Sequence, residues 1–164
     1  MTRQINNILS AVTNDTLERL AFLFAFPDDG RSHDGPGPAV TGSVEFSGLF
    51  SGRLVVRVSS SIIPELAGNM LGMADDDEIS VEAQQDAFKE LANVICGNVL
   101  PAIAGDQVEF SIGAPRTLST QDARELLGRE DPAGEVRLMV EDGYCDVYLF
   151  TREKLTELPG ASKC

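Results

Sequence analysis

Asp86, Glu90, Asn93 and Gly97 recur at spacings of four, three and four in the stretch Asp86-Ala-Phe-Lys-Glu90-Leu-Ala-Asn93-Val-Ile-Cys-Gly97-Asn. In a helix, at about 100° per residue, they fall within roughly 60° of one another and form one stripe. A carboxylate and a carboxamide one turn apart could pair with a partner's cation and hold a water molecule. Asn in a helix interior is disfavoured relative to Ala by several tenths of a kcal/mol, and Gly by about 1 kcal/mol. Both residues therefore ask for a reason beyond helix formation. Gly97 removes side-chain bulk from the stripe and would let another surface come close.

The helix that must carry this stripe reads as Ser80 to Leu100, with Ser80 as N-cap, Glu82 in the first turn and Pro101 closing it. Phe88, Leu91, Ala92, Ile95 and Val99 gather on the opposite side as an apolar face. The stripe is thus expected to point outward. An outward polar face is ordinarily just a solvated one, and the unfavourable Asn and Gly single this one out.

The remaining elements form a frame around that helix. Arg3 to Phe26 reads as a first helix, with Ile5, Ile8, Leu9, Val12, Leu20 and Phe24 near helical spacing. Its end, Leu20 to Phe26, is apolar nearly all round and is expected to be buried. A loop rich in Gly, Pro and Asp runs to Pro38 and carries the lone His33, which is expected to be solvated. Val44 and Phe46, then Leu54, Val56 and Val58, alternate with polar residues on either side of Gly48 to Gly52, which predicts a hairpin. A short helix, Ile62 to Leu71, ends at Gly72. Asp75, Asp76, Asp77 and Glu78 follow without the alternating ligands and central Gly of a calcium loop, so an acidic linker is expected. Val108, Phe110 and Ile112 read as a strand that stops before Ala114 and Pro115. Gln121 to Leu127 reads as a short helix. Val136, Leu138 and Val140 meet Cys145, Val147 and Leu149 in a hairpin across Asp142 and Gly143. This order predicts an α+β fold of two layers, long helices packed on an antiparallel sheet of about five to six strands. One domain is expected over residues 1–151, with 152–164 as a C-terminal tail.

Composition narrows the function classes. At 164 residues the chain can bury roughly two-thirds of its unfolded surface around one core. Its 13 Lys plus Arg against 26 Asp plus Glu leave a net charge of −13. No basic run could neutralise a row of phosphates, which argues against nucleic acid and anionic membrane as partners. Trp is absent, which argues against a base-stacking platform. Cys96, Cys145 and Cys164 show neither CxxC nor metal-ligand spacing, so no metal site is expected and reduced thiols in a cytoplasmic protein are. Polar residues from Arg3 to Arg19 interrupt the first helix and exclude a signal peptide or membrane span there. GxSxG, a P-loop and GxGxxG are all missing.

At the stripe the sequence resembles the CheX, CheC and FliY family of bacterial chemotaxis phosphatases, and its CheX-like single-site members most closely. Asp86, Glu90 and Asn93 look like the family signature of Asp or Ser, then Glu, then Asn, with a Pro twenty-odd residues later that Pro115 matches. The resemblance extends to the hairpin from Phe46-Ser-Gly48 through Gly52-Arg-Leu-Val, to Leu71-Gly72 and to Glu18-Arg-Leu-Ala-Phe22, covering roughly Arg3 to Thr151. Two-site relatives repeat the Glu and Asn pair in the first helix. Here the equivalent residues are Asn14, Glu18 and Ala21, and Ala21 has no carboxamide.

The resemblance implies a phosphatase for the phosphoaspartate of a CheY-like response regulator, with Glu90 and Asn93 catalytic and Asp86, Gly97 and Pro115 at the partner contact. It implies that the regulator brings the Mg²⁺, so that this chain binds no cofactor. It also implies a homodimer, formed through a sheet edge for which Tyr144 to Thr151 is the candidate strand. Pro115 by itself reads as a turn at a strand end. The alternative from a different class is a module of the same fold that binds a response regulator or dimerises without catalysis.

Overall fold

The computed structural model describes residues 1–27, 37–73 and 78–155. His33, the Asp75 to Asp77 run and the chain beyond Leu155 lie outside the described residues. Helix α1 spans Thr2–Ala21 and short strand β1 spans Ala25–Pro27; a hairpin of β2 (Ala39–Ser47) and β3 (Gly52–Ser59) follows. A single 3-10 turn leads into α2 (Ile63–Leu71), then α3 (Val81–Ala104). Strands β4 (Ser111–Ile112) and β5 (Arg116–Leu118), helix α4 (Thr120–Arg129) and the hairpin β6 (Gly134–Val140) and β7 (Gly143–Thr151) complete the chain.

The fold is α+β, long helices on an antiparallel sheet, as the sequence predicts. The sheet has seven strands in the order β1-β6-β7-β3-β2-β4, with β5 also on β2. Alternation sets its faces. Leu54, Val56 and Val58 of β3 and Cys145, Val147 and Leu149 of β7 point into the main core, where they meet Ile5, Leu9 and Leu17 of α1, Leu66 of α2, and Phe88, Leu91 and Ile95 of α3. Val55 and Phe150 point the other way and are covered by Leu126 of α4. That short helix adds partial cover on the second face, beyond the two layers expected. On the same face Arg137 donates two hydrogen bonds to Asp146, at 2.6 and 2.7 Å. Asp146 is 1% exposed, and this bidentate pairing keeps its charge compatible with burial.

Four expectations are corrected. The first helix stops at Ala21, where Phe22 takes a left-handed conformation (φ 52°, ψ 32°). The chain then turns into β1, and Phe22, Phe24 and Phe26 are exposed rather than buried. Of the Val108 to Ile112 stretch only Ser111–Ile112 pairs, because β2 offers its free edge first to β4 and then to β5. The last hairpin turns through Glu141 and Asp142, since Val140 pairs directly with Gly143. Most consequentially for assembly, β7 lies between β6 and β3; a strand bonded on both sides has no free groups to offer a second copy, so Tyr144 to Thr151 is not an edge.

Candidate functional site

Helix α3 is positioned by three local devices. Its Ser80 hydroxyl accepts the Ala83 backbone N–H at 3.1 Å, satisfying one of the donors the first turn leaves free. Glu82 lies in that turn, where the helix dipole favours a negative charge. Phe88, Leu91, Ala92, Ile95 and Val99 are all fully buried. Phe88 fixes the rotation, because its ring lies so close to Gly42 of β2 that a Cβ there would meet it at 2.9 Å.

With the apolar face so seated, the stripe faces outward. Asp86 and Glu90 are exposed, and Asn93 and Gly97 are half-buried. Among the described residues, no ion pair engages either carboxylate and no hydrogen bond engages the Asn93 carboxamide. Their hydrogen-bonding capacity is open to a partner. Nothing lies within 4 Å of the position a Cβ would take at Gly97, so no internal packing requires the glycine.

Helix α3 does not end at Leu100. It runs through Pro101 to Ala104, and Gly105 with φ 98° terminates it. Proline is costly inside a helix, which is why the sequence suggested a stop. Pro115 is half-buried and sits between β4 and β5. Gly42, beneath Phe88, is in register with Thr117, so Pro115 lies just before the strand that pairs with β2 at that contact. Cys96 flanks the stripe but is fully buried, and burial pushes its thiol up to about 12, which makes it a poor nucleophile.

The first helix presents no second copy of the site. Asn14 is half-buried and Glu18 exposed, but Ala21 is buried in the last turn, with its carbonyl accepting from Asn69 Nδ2 at 2.8 Å.

Among the described residues the stripe stands as a ridge on the helix, and Asp86, Glu90, Asn93 and Gly97 line neither of two hollows. A groove of about 340 Å³ between α1 and α3, lined by Asp15, Arg19, Val94 and Asn98 among others, runs beside it. A larger cleft of about 640 Å³ lies at the Glu45, Arg53 and Arg152 end of the sheet and includes no residue of α3. A convex helix suits a substrate that is itself a recess in another protein, whereas a free small molecule would need a cavity to desolvate it.

An antiparallel sheet backed by long helices, the second carrying an outward Glu-x-x-Asn, is the architecture of the CheC/CheX-like class. Residues 40–138 match the family described as chemotaxis phosphatase CheX, and the chain belongs to that family. No individually curated protein matches it. Among solved structures it is similar to a chemotaxis protein CheX from Desulfovibrio desulfuricans, with TM-score 0.66 and 17% identity over 91% of this chain and 99% of that one. CheX in the CheX–CheY–BeF3–Mg²⁺ complex from Borrelia burgdorferi gives TM-score 0.64 and 14% identity over 90% and 97%. FliY from Thermotoga maritima gives 0.57 and 17% over 90% and 89%. At these identities the likeness is one of fold.

Proposed function

We propose that this chain accelerates hydrolysis of the phosphoaspartate of a CheY-like response regulator, acting as one unit over residues 1–151. Membership of a phosphatase family supports the class of reaction, and the Borrelia burgdorferi relative is found in complex with CheY. The observation that carries the reading is the pairing of Glu90 with Asn93 on the outward face of α3, with no partner among the described residues.

The chemistry is displacement at phosphorus. The oxygen of a water forms the new bond to phosphorus while the aspartyl carboxylate leaves with the electrons of the old one. Inorganic phosphate takes the water's proton, and the aspartate is regenerated. The regulator would bring the Mg²⁺ that neutralises the phosphoryl oxygens, leaving this chain to position groups. A carboxamide is no general base near neutral pH, but Asn93 can hold the attacking water in line. An ordering effect of about 2.7 kcal/mol is a hundredfold in rate. Glu90 would accept the regulator's active-site cation and fix the register of the helix, with Asp86 at the rim and Gly97 and Pro115 at the contact.

The test is decay of a phosphorylated response regulator from the same genome, with and without the protein. Acceleration that disappears with Glu90→Lys, which sets like charges together, is expected. Association without acceleration would favour the binding-module reading.

A further inference from the structure

We propose that the backbone carbonyl of Gly97 is itself a contact group of the docking surface, an acceptor kept free by Pro101 for a donor on the response regulator. The inference rests on the function proposed above. Gly97 and Pro101 are four residues apart inside one continuous helix. In a helix the carbonyl of residue i accepts from the N–H of residue i+4. Proline has no N–H, and its ring crowds the carbonyl four residues before it. The Gly97 carbonyl therefore loses its regular helix donor. At Gly97 nothing lies within 4 Å of the position a Cβ would take, so the surface of this turn is open to an approaching partner.

These features fall on the stripe. Pro101 follows Gly97 by the same four-residue step that separates Asp86 from Glu90, so the line Asp86, Glu90, Asn93, Gly97 continues onto Pro101. Glycine and proline are the two poorest residues for a helix interior, and here they are paired at the one spacing that frees a carbonyl. Asp86, Glu90 and the Gly97 carbonyl are all acceptors, in a chain of net charge −13. The matching face on the regulator is rich in donors: the lysine that would meet Glu90, and beside it a further ammonium, guanidinium or backbone N–H aimed at Gly97.

Pro101→Ala restores the missing donor without adding bulk, and Pro101→Val restores it while keeping an apolar side chain. Both variants should melt at a higher temperature than wild type, and the new amide at position 101 should exchange slowly with solvent. Both should bind the phosphorylated regulator at least fivefold more weakly, with KM raised more than kcat is lowered. Wild-type affinity in both variants would overturn the inference. Loss in Pro101→Ala with full recovery in Pro101→Val would overturn it too, assigning the contact to the apolar ring. Failure of the underlying reading looks different, because wild-type protein would then fail to accelerate the regulator's decay, whatever the Pro101 variants do.

Discussion

The Phe88 ring of α3 rests on the bare backbone of Gly42 in β2, at a distance a methyl group would close to 2.9 Å. Gly42 lies on no stripe and needs touch no partner, yet it sets the height and rotation of the helix that bears Glu90 and Asn93. Gly42→Ala forces Phe88, which is fully buried, to move within a packed core. The expected cost is about 1–3 kcal/mol of stability, with activity reduced although every polar residue of the stripe is intact. Urea denaturation measures the first and regulator dephosphorylation the second. A variant as stable and as active as wild type would show that the contact does not hold the helix.

Gly97→Ala should have the opposite signature. The helix interior gains about 0.5–1 kcal/mol, and the added methyl has open space around it. Its thermal midpoint should rise, while affinity for the regulator should fall because the methyl stands where the two surfaces meet. Tighter or equal binding would remove Gly97 from the contact.

Burial raises the Cys96 thiol from its ordinary 9.0 to about 12. The folded state therefore favours the neutral thiol. Its contribution to stability is complete below pH 9 and is lost as pH rises through the window from 9 to about 12. In a Cys164→Ser background, an alkylating reagent at about pH 8 should leave Cys96 unmodified until the protein unfolds. Across the alkaline window, stability should decline less steeply in Cys96→Ala than in wild type. Rapid alkylation of Cys96 in the folded protein would contradict the burial argument.

The helix that carries the candidate site is more legible in the sequence than the frame around it. The 3.6-residue period placed Phe88, Leu91 and Ile95 inward and Asp86 and Glu90 outward, and the Ser80 cap marked the start of the helix; all of these are local signals. The end of α1 was not legible, because a run such as Leu20 to Phe26 can be the wall of a buried helix or an edge strand, and the period does not decide within seven residues. The left-handed turn at Phe22 is unusual for an aromatic residue and has no sequence marker. Sheet order depends on contacts between distant segments, so the interior place of β7 and the sharing of β2 between β4 and β5 could not be read from local pattern. The run through Pro101 has no local marker for a simpler reason: proline usually ends a helix, and here its cost is borne inside one.

In the proposed mechanism Asn93 acts on water rather than on folding, and Asn93→Ala isolates that role. Ala is the better helix former by several tenths of a kcal/mol, and the carboxamide has no hydrogen bond to lose among the described residues. The variant should melt at or slightly above the wild-type temperature. It should still bind the phosphorylated regulator, since Glu90 and the rest of the stripe are untouched. The decisive measurement is single-turnover release of phosphate from the regulator at saturating variant. The expected result is a rate at least tenfold below wild type, about 1.4 kcal/mol or more of lost transition-state stabilisation. A folded variant that releases phosphate at the wild-type rate would show that Asn93 does not hold the attacking water.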